Sequence, residues 1–197
     1  MRRKVVMTAI SILVLLGGTC FAGPALDSVK SDVDAVLKVL KKPADKGEAG
    51  KKAKADQIRK ISMKMFDFAE LSKRTLGAHW NKFSAPQRQE FVDLYKGLLE
   101  DVYIDKITSY TDERIDYTKE VQLSDNAFEV QSTIVTKSAE IPVFYRVFNK
   151  DGQWRVYDVV IEGVSLISNY RSQFREILAN NPPESLLDTL RKKVRKK

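Results

Sequence analysis

After Tyr110 the spacing of the apolar residues changes from helical to alternating, and this switch constrains the fold more than any other feature of the chain. Residues 115–123, 128–136, 141–148 and 154–161 each have the length and two-residue alternation of a strand. The segments between them, Ser124-Asp125-Asn126, Lys137-Ser138-Ala139 and Lys150-Asp151-Gly152, have the composition of hairpin turns. Four consecutive strands joined in this way make an antiparallel meander. In the last two, Val143, Tyr145 and Val147 alternate against Phe144 and Phe148, so both faces of that part of the sheet are expected to be covered.

Helices on either side supply the cover. Residues 26–40 place Leu26, Val29, Val33, Val36, Leu37 and Leu40 at helical spacing, and a lysine-rich connection over 41–54 reads as exposed. A second helix runs from about Lys51 to Phe66 with Ile58, Ile61, Met65 and Phe66, and a third starts at Asp67, whose spacing to Glu70 has the form of a capping box. Ser84, with Gln87 and Pro86, opens the longest helix. Its apolar residues form one row of Phe91, Leu94, Tyr95, Leu98 and Val102 and a second of Leu99, Tyr103 and Ile107. A stripe that wide faces two things, and one of them is a second element or something apolar that is not protein. Past the strands, Gly163 punctuates, a helix over 164–180 carries Val164, Ile167, Tyr170 and Phe174, and another runs from Pro183 to the tail. The expected fold class is α+β, a four-stranded antiparallel curved sheet wrapped by helices.

Arg2, Arg3 and Lys4, then an apolar stretch over 5–16, then small residues up to Gly23, have the layout of a secretory leader, with cleavage expected after Ala22. The expected organisation is a signal peptide over 1–22, one domain over 23–190 and a basic tail over 191–197. The only cysteine, Cys20, falls inside the leader; lipidation there is the sharper alternative, but the usual aliphatic residue three positions earlier is missing. The formal charge of +8 is an effect of the two ends, since residues 5–190 come to −1. A nucleic-acid partner is therefore not expected. The tail reads as a solvated terminus, with contact to anionic lipid headgroups as the alternative.

Little in the sequence points to catalysis. There is one histidine, His79, and no G-x-S-x-G around any serine, so neither a conventional triad nor a zinc set can be assembled. Gly17-Gly18 falls in the leader and Gly77, Gly97, Gly152 and Gly163 stand alone, so the glycines make no phosphate loop. Asp158 is the one acidic residue of interest, because it interrupts the apolar run Val156-Tyr157-Asp158-Val159-Val160 and a covered carboxylate needs partners. Arg146, Arg171 or the amides at Val164 and Ser165 are the candidates. Its plain reading is a tie between sheet and helix; its sharper reading is the general base of an isomerase-like enzyme.

Three stretches carry a resemblance: Phe66-Asp67-Phe68 with Leu76-Gly77-Ala78-His79-Trp80; Gln87-Arg88-Gln89-Glu90-Phe91; and Trp154-Arg155-Val156-Tyr157-Asp158-Val159 with Glu162-Gly163-Val164-Ser165-Leu166 and Asn169-Tyr170-Arg171. In these the chain resembles the MlaC family of periplasmic phospholipid-binding proteins, over nearly all of its length after the leader. The resemblance implies an NTF2-like fold with an apolar lipid cavity between sheet and helices, a periplasmic location and a monomer. It implies phospholipid as cargo with no cofactor, and two partners, an inner-membrane ABC transporter bearing a lipid-binding ring and an outer-membrane lipoprotein complex. A hopanoid cargo, as in a sister branch, and a module that recognises a protein partner are the alternatives. The lining candidates are Phe91, Leu94, Tyr95, Leu98 and Val102 on the long helix, Val130, Ile134, Val143, Tyr145, Val147, Val159 and Ile161 on the strands, and Val164, Ile167 and Tyr170 after Gly163. Periodicity alone places every one of these in the core.

Overall fold

In the computed structural model, which describes residues 23–43, 47–109 and 113–194, the alternating segments are strands paired in chain order. The leader, Cys20 and the last three residues of the tail lie outside the described residues. The elements are α1 (Pro24–Lys41), α2 (Glu48–Met65), α3 (Phe68–Leu76), a short 3-10 turn (Gly77–Lys82), α4 (Ala85–Thr108), β1 (Arg114–Ser124), β2 (Ala127–Val135), β3 (Glu140–Lys150), β4 (Gln153–Ile161), β5 (Val164–Ser165), α5 (Leu166–Leu178) and α6 (Pro183–Val194). All neighbouring strand pairs are antiparallel.

Two hairpins use residues in the left-handed region. Asp151 and Gly152, at φ 52° and 81°, turn β3 into β4, the geometry that matches the twist of the paired strands. Glu162 and Gly163, at φ 50° and 80°, do the same after β4. The chain therefore folds back once more before the helix starts: Val160 pairs with Ser165 and Ile161 with Val164. The helix expected from Val164 begins at Leu166 instead, with Ser165 as its N-cap. The sheet has five strands rather than four, because a two-residue strand is too short for alternation to register.

The two faces of the sheet carry separate cores. On one, α1 lies across the strands and buries Ala25, Leu26, Val29 and Val33 against Val130, Val143, Val147, Val156 and Val159. The other core lies mainly among the helices, where α3, α4, α5 and α6 pack around Phe91, Tyr95, Tyr170 and Phe174, whose rings meet at centroid distances of 5.2–5.6 Å. Edge-to-face pairs among them add to the energy of burial.

Local signals fix where the helices begin. Ser84 and Gln87 make the reciprocal capping box at the start of α4. Asp67 accepts from the Glu70 amide at 2.9 Å, whereas the Glu70 carboxylate turns to Arg74 at 2.7 Å, so only half of the second box forms. At the other end α6 continues through Val194, past the point where the basic tail was expected to begin. Arg191 reaches Glu90 on α4 as well as Glu184 and Asp188 on its own helix.

Candidate functional site

Between α1, the C-terminal third of α4 and the sheet lies an apolar cleft of about 450 Å³. An adjoining hollow of about 250 Å³ shares Phe66, Tyr103, Ile134, Val143, Tyr145 and Ile161 with it and extends to Leu71, Leu99 and Leu166. A single ligand cavity commonly measures roughly 300–1,000 Å³.

The strands meet the cleft where antiparallel pairing gathers the start of β1 and β3 with the end of β2 and β4. There Ile115, Ile134 and Ile141 lie in register across three strands, followed by Val143, Tyr145 and Ile161. Side chains at alternate positions share a face, so these residues form a continuous apolar floor. Val33, Val36, Leu37 and Leu40 of α1 form one wall. Tyr103 and Ile107 of α4 form the other, with Lys106, Ser109, Glu113 and Thr136 toward the β2–β3 end. Phe66 closes α2 in an extended conformation, held by a parallel bridge to Val156, and lines both compartments.

Tyr103 and Tyr145 remain neutral phenols in this lining. Burial raises the Tyr103 hydroxyl and pushes that of Tyr145 up to about 12. The carboxylates on the walls are few. Glu113 lies on the larger compartment and Glu100 on the smaller, where burial raises its carboxyl against the pull of Lys96 and Arg59. Such a surface offers dispersion contacts and burial to an apolar guest and little to a polar one.

Of the fifteen lining candidates, Ile134, Val143, Tyr145, Val159 and Ile161 face the cleft or its adjoining hollow. Phe91, Tyr95, Leu98, Ile167 and Tyr170 are buried in the helical core, and Leu94 packs against it. Val130 and Val147 lie fully buried in the core that α1 covers. Val102 is 40 % exposed and Val164 57 %. On α4 it is the second row, Leu99, Tyr103 and Ile107, that faces the open space. The candidate list lacked α1 and Phe66 altogether. The apolar stripe of α1 was visible, but no local signal separates a stripe that covers a cleft from one that seals a core.

Asp158 sits elsewhere. It is 1 % exposed, and neighbouring strand residues point to opposite faces, so it and Arg146 turn away from the face that bears Val159, Tyr145 and the cleft. Its Oδ2 accepts from Ser165 Oγ at 2.6 Å and Arg146 Nη1 at 3.2 Å, and its Oδ1 from the Ile167 amide at 3.1 Å. Arg146 in turn donates to Glu129 at 3.1 Å, so Glu129, Arg146 and Asp158 form a charge ladder across β2, β3 and β4. The carboxylate clamps the start of α5 to the sheet, and a base directed into the apolar cavity is not what the geometry presents. Arg171, the other candidate partner, donates to the Arg74 carbonyl. Among the described residues no group of His, Cys, Asp and Glu is placed to hold a metal ion, and no helix is long and apolar enough to cross a membrane.

A curved antiparallel sheet that shares an apolar cleft with its covering helices defines a fold class suited to holding an apolar guest. The model of the family described as MlaC protein matches residues 30–192, and the chain belongs to that family. The intermembrane phospholipid transport system binding protein MlaC of Haemophilus influenzae is 29 % identical to it over 119 residues, 58 % of this chain and 56 % of that protein. The match thus spans little more than half the length of that relative. Among solved structures, the phospholipid-binding protein from Ralstonia solanacearum in complex with a phospholipid has the same fold, with a TM-score of 0.75 at 24 % identity, over 87 % of this chain and 97 % of that one.

Proposed function

We propose that this chain is a periplasmic phospholipid carrier whose cleft between α1, α4 and the sheet holds acyl chains. The observation that carries the reading is the cleft: apolar on floor and walls, with its polar side chains gathered toward one end. Transfer of acyl chains through water needs such a host, because each exposed methylene costs about 0.8 kcal/mol. The headgroup would rest near Lys106, Ser109 and Thr136. The Haemophilus influenzae relative carries the name of an intermembrane phospholipid transport binding protein, and the Ralstonia solanacearum protein of the same fold holds a phospholipid. On this reading the donor and acceptor are an inner-membrane ABC transporter bearing a lipid-binding ring and an outer-membrane lipoprotein complex.

The test is to purify the protein from a Gram-negative host, extract it with organic solvent and identify what is released by mass spectrometry. Glycerophospholipid in stoichiometric amount is the expected result. A hopanoid would keep the carrier and change the cargo. A folded protein that releases neither would overturn the reading.

A further inference from the structure

A concentration of charge beside the cleft is not used by the carrier reading itself. Residues 38–54 hold seven lysines against Asp45 and Glu48, a net of +5, whereas residues 5–190 as a whole come to −1. The structure gathers the described ones, Lys38, Lys41, Lys42, Lys51, Lys52 and Lys54, at one place. Lys54 Nζ donates to the carbonyls of Leu40 and Lys42, both at 2.9 Å, which pins the first half of α2 to the end of α1. Lys38, Lys41, Lys42, Lys51 and Lys52 are left exposed around that pinned end. The same end of α1 contributes Val36, Leu37 and Leu40 to the cleft that Lys106 and Ile107 of α4 also line, and it shares a small apolar cluster with Ile104 of α4. The basic end of the hairpin therefore adjoins the polar end of the cleft.

The composition of the patch indicates what it meets. Protein interfaces are enriched in arginine and aromatic residues and depleted in lysine. Residues 38–54 contain neither arginine nor an aromatic residue. Lysine is a mobile point charge that needs no matching fork geometry, which suits a fluid layer of anionic headgroups. We propose that the lysine-bearing end of the α1–α2 hairpin is a docking face for an anionic phospholipid bilayer, which turns the end of the cleft toward the membrane in which its donor or acceptor complex sits. The orientation rests on the carrier reading; the docking does not.

The experiment is co-sedimentation of the purified protein with vesicles of phosphatidylglycerol and phosphatidylcholine, and with vesicles of phosphatidylcholine alone. The test variant combines Lys38→Gln, Lys41→Gln, Lys42→Gln and Lys52→Gln and leaves Lys54 in place, because its two carbonyl bonds are structural. A control combines Lys192→Gln and Lys193→Gln at the far end of the chain. The parent is expected to bind the anionic vesicles and not the neutral ones, and the fourfold variant to lose about tenfold or more in partition coefficient. The control is expected to stay close to the parent, and the lipid extracted from each protein to be unchanged. Failure of the parent to sediment with anionic vesicles overturns the proposal and leaves the lysines to an acidic protein surface. A loss in the control that equals the variant's per charge removed overturns it too, because the effect then follows net charge and not this face. An empty extract beside intact docking sinks the carrier reading alone.

Discussion

Asp67 caps α3 through the Glu70 amide and accepts from Lys150 Nζ at 2.7 Å, joining the end of β3 to the segment that positions Phe66. Burial alone would raise its carboxyl, but the Lys150 ammonium and the amides of Glu70 and Ala69 hold it below the usual range. A folded value below the unfolded one, about 3.9, gives stability that is present above that pH and is lost as the pH falls through the folded value. Asp67→Asn keeps an oxygen for the cap and removes the charge. Lys150 is 55 % exposed, so the pair is worth no more than about 1 kcal/mol. The variant is expected to be less stable than the parent by up to that amount at pH 7, with the gap closing below about pH 4. Urea unfolding at pH 7 and at pH 3 checks this, and an equal gap at both would assign the loss to cap geometry instead. Asp158 shows how far a single residue can be read in sequence. Its need for partners followed from its apolar neighbours, and Arg146 was among those named. That Ser165 and the Ile167 amide complete the set depends on the turn at Glu162 and Gly163, which no property of Asp158 reveals.

At the scale of elements, α6 is docked mainly on other helices and not on the sheet. It packs on α4 and α5 through Leu186, Leu187 and Leu190, and Arg191 fastens its last turns to Glu90 by two hydrogen bonds, of 2.7 and 2.8 Å. Arg191→Ala is expected to lower the melting temperature modestly and to speed amide hydrogen exchange in α6 ahead of the sheet, because a helix docked mainly on other helices can open before the strands part. Lys192→Ala, on the exposed side, should alter neither. Uniform exchange through α6 and the sheet in the Arg191 variant would mean that the helix unfolds only with the whole domain. Most elements were legible because their periods are strong and their ends carry caps or turn residues. The four long strands and the capping box at Ser84 are examples. Legibility failed where the decisive geometry is short or tertiary: β5 is two residues long, and Arg191 looks like part of a basic tail until α4 is placed beside it.

In the whole molecule the cleft exists because α1 seals only part of the sheet face. Toward its start Ala25, Leu26 and Val29 close the core over Val130 and Val147, while toward its end Val36, Leu37 and Leu40 border open space. The two halves have the same residue types at the same spacing. Sequence therefore located the apolar surface without dividing it into core and lining, and the division comes from how far α4 stands off the floor. Two substitutions of one kind should separate these regions. In Ile161→Trp the larger ring enters the space that acyl chains would occupy, at little cost in stability. Val147→Trp forces the same ring into close-packed core and should cost about 1–3 kcal/mol or more. The first is expected to carry clearly less bound phospholipid per protein at a near-parental melting temperature, and the second to lose stability before it loses lipid. Phosphate analysis of the purified proteins beside thermal unfolding reads both quantities. A full lipid load in well-folded Ile161→Trp would place the acyl chains away from Ile161 and move the search to the walls formed by α1 and α4.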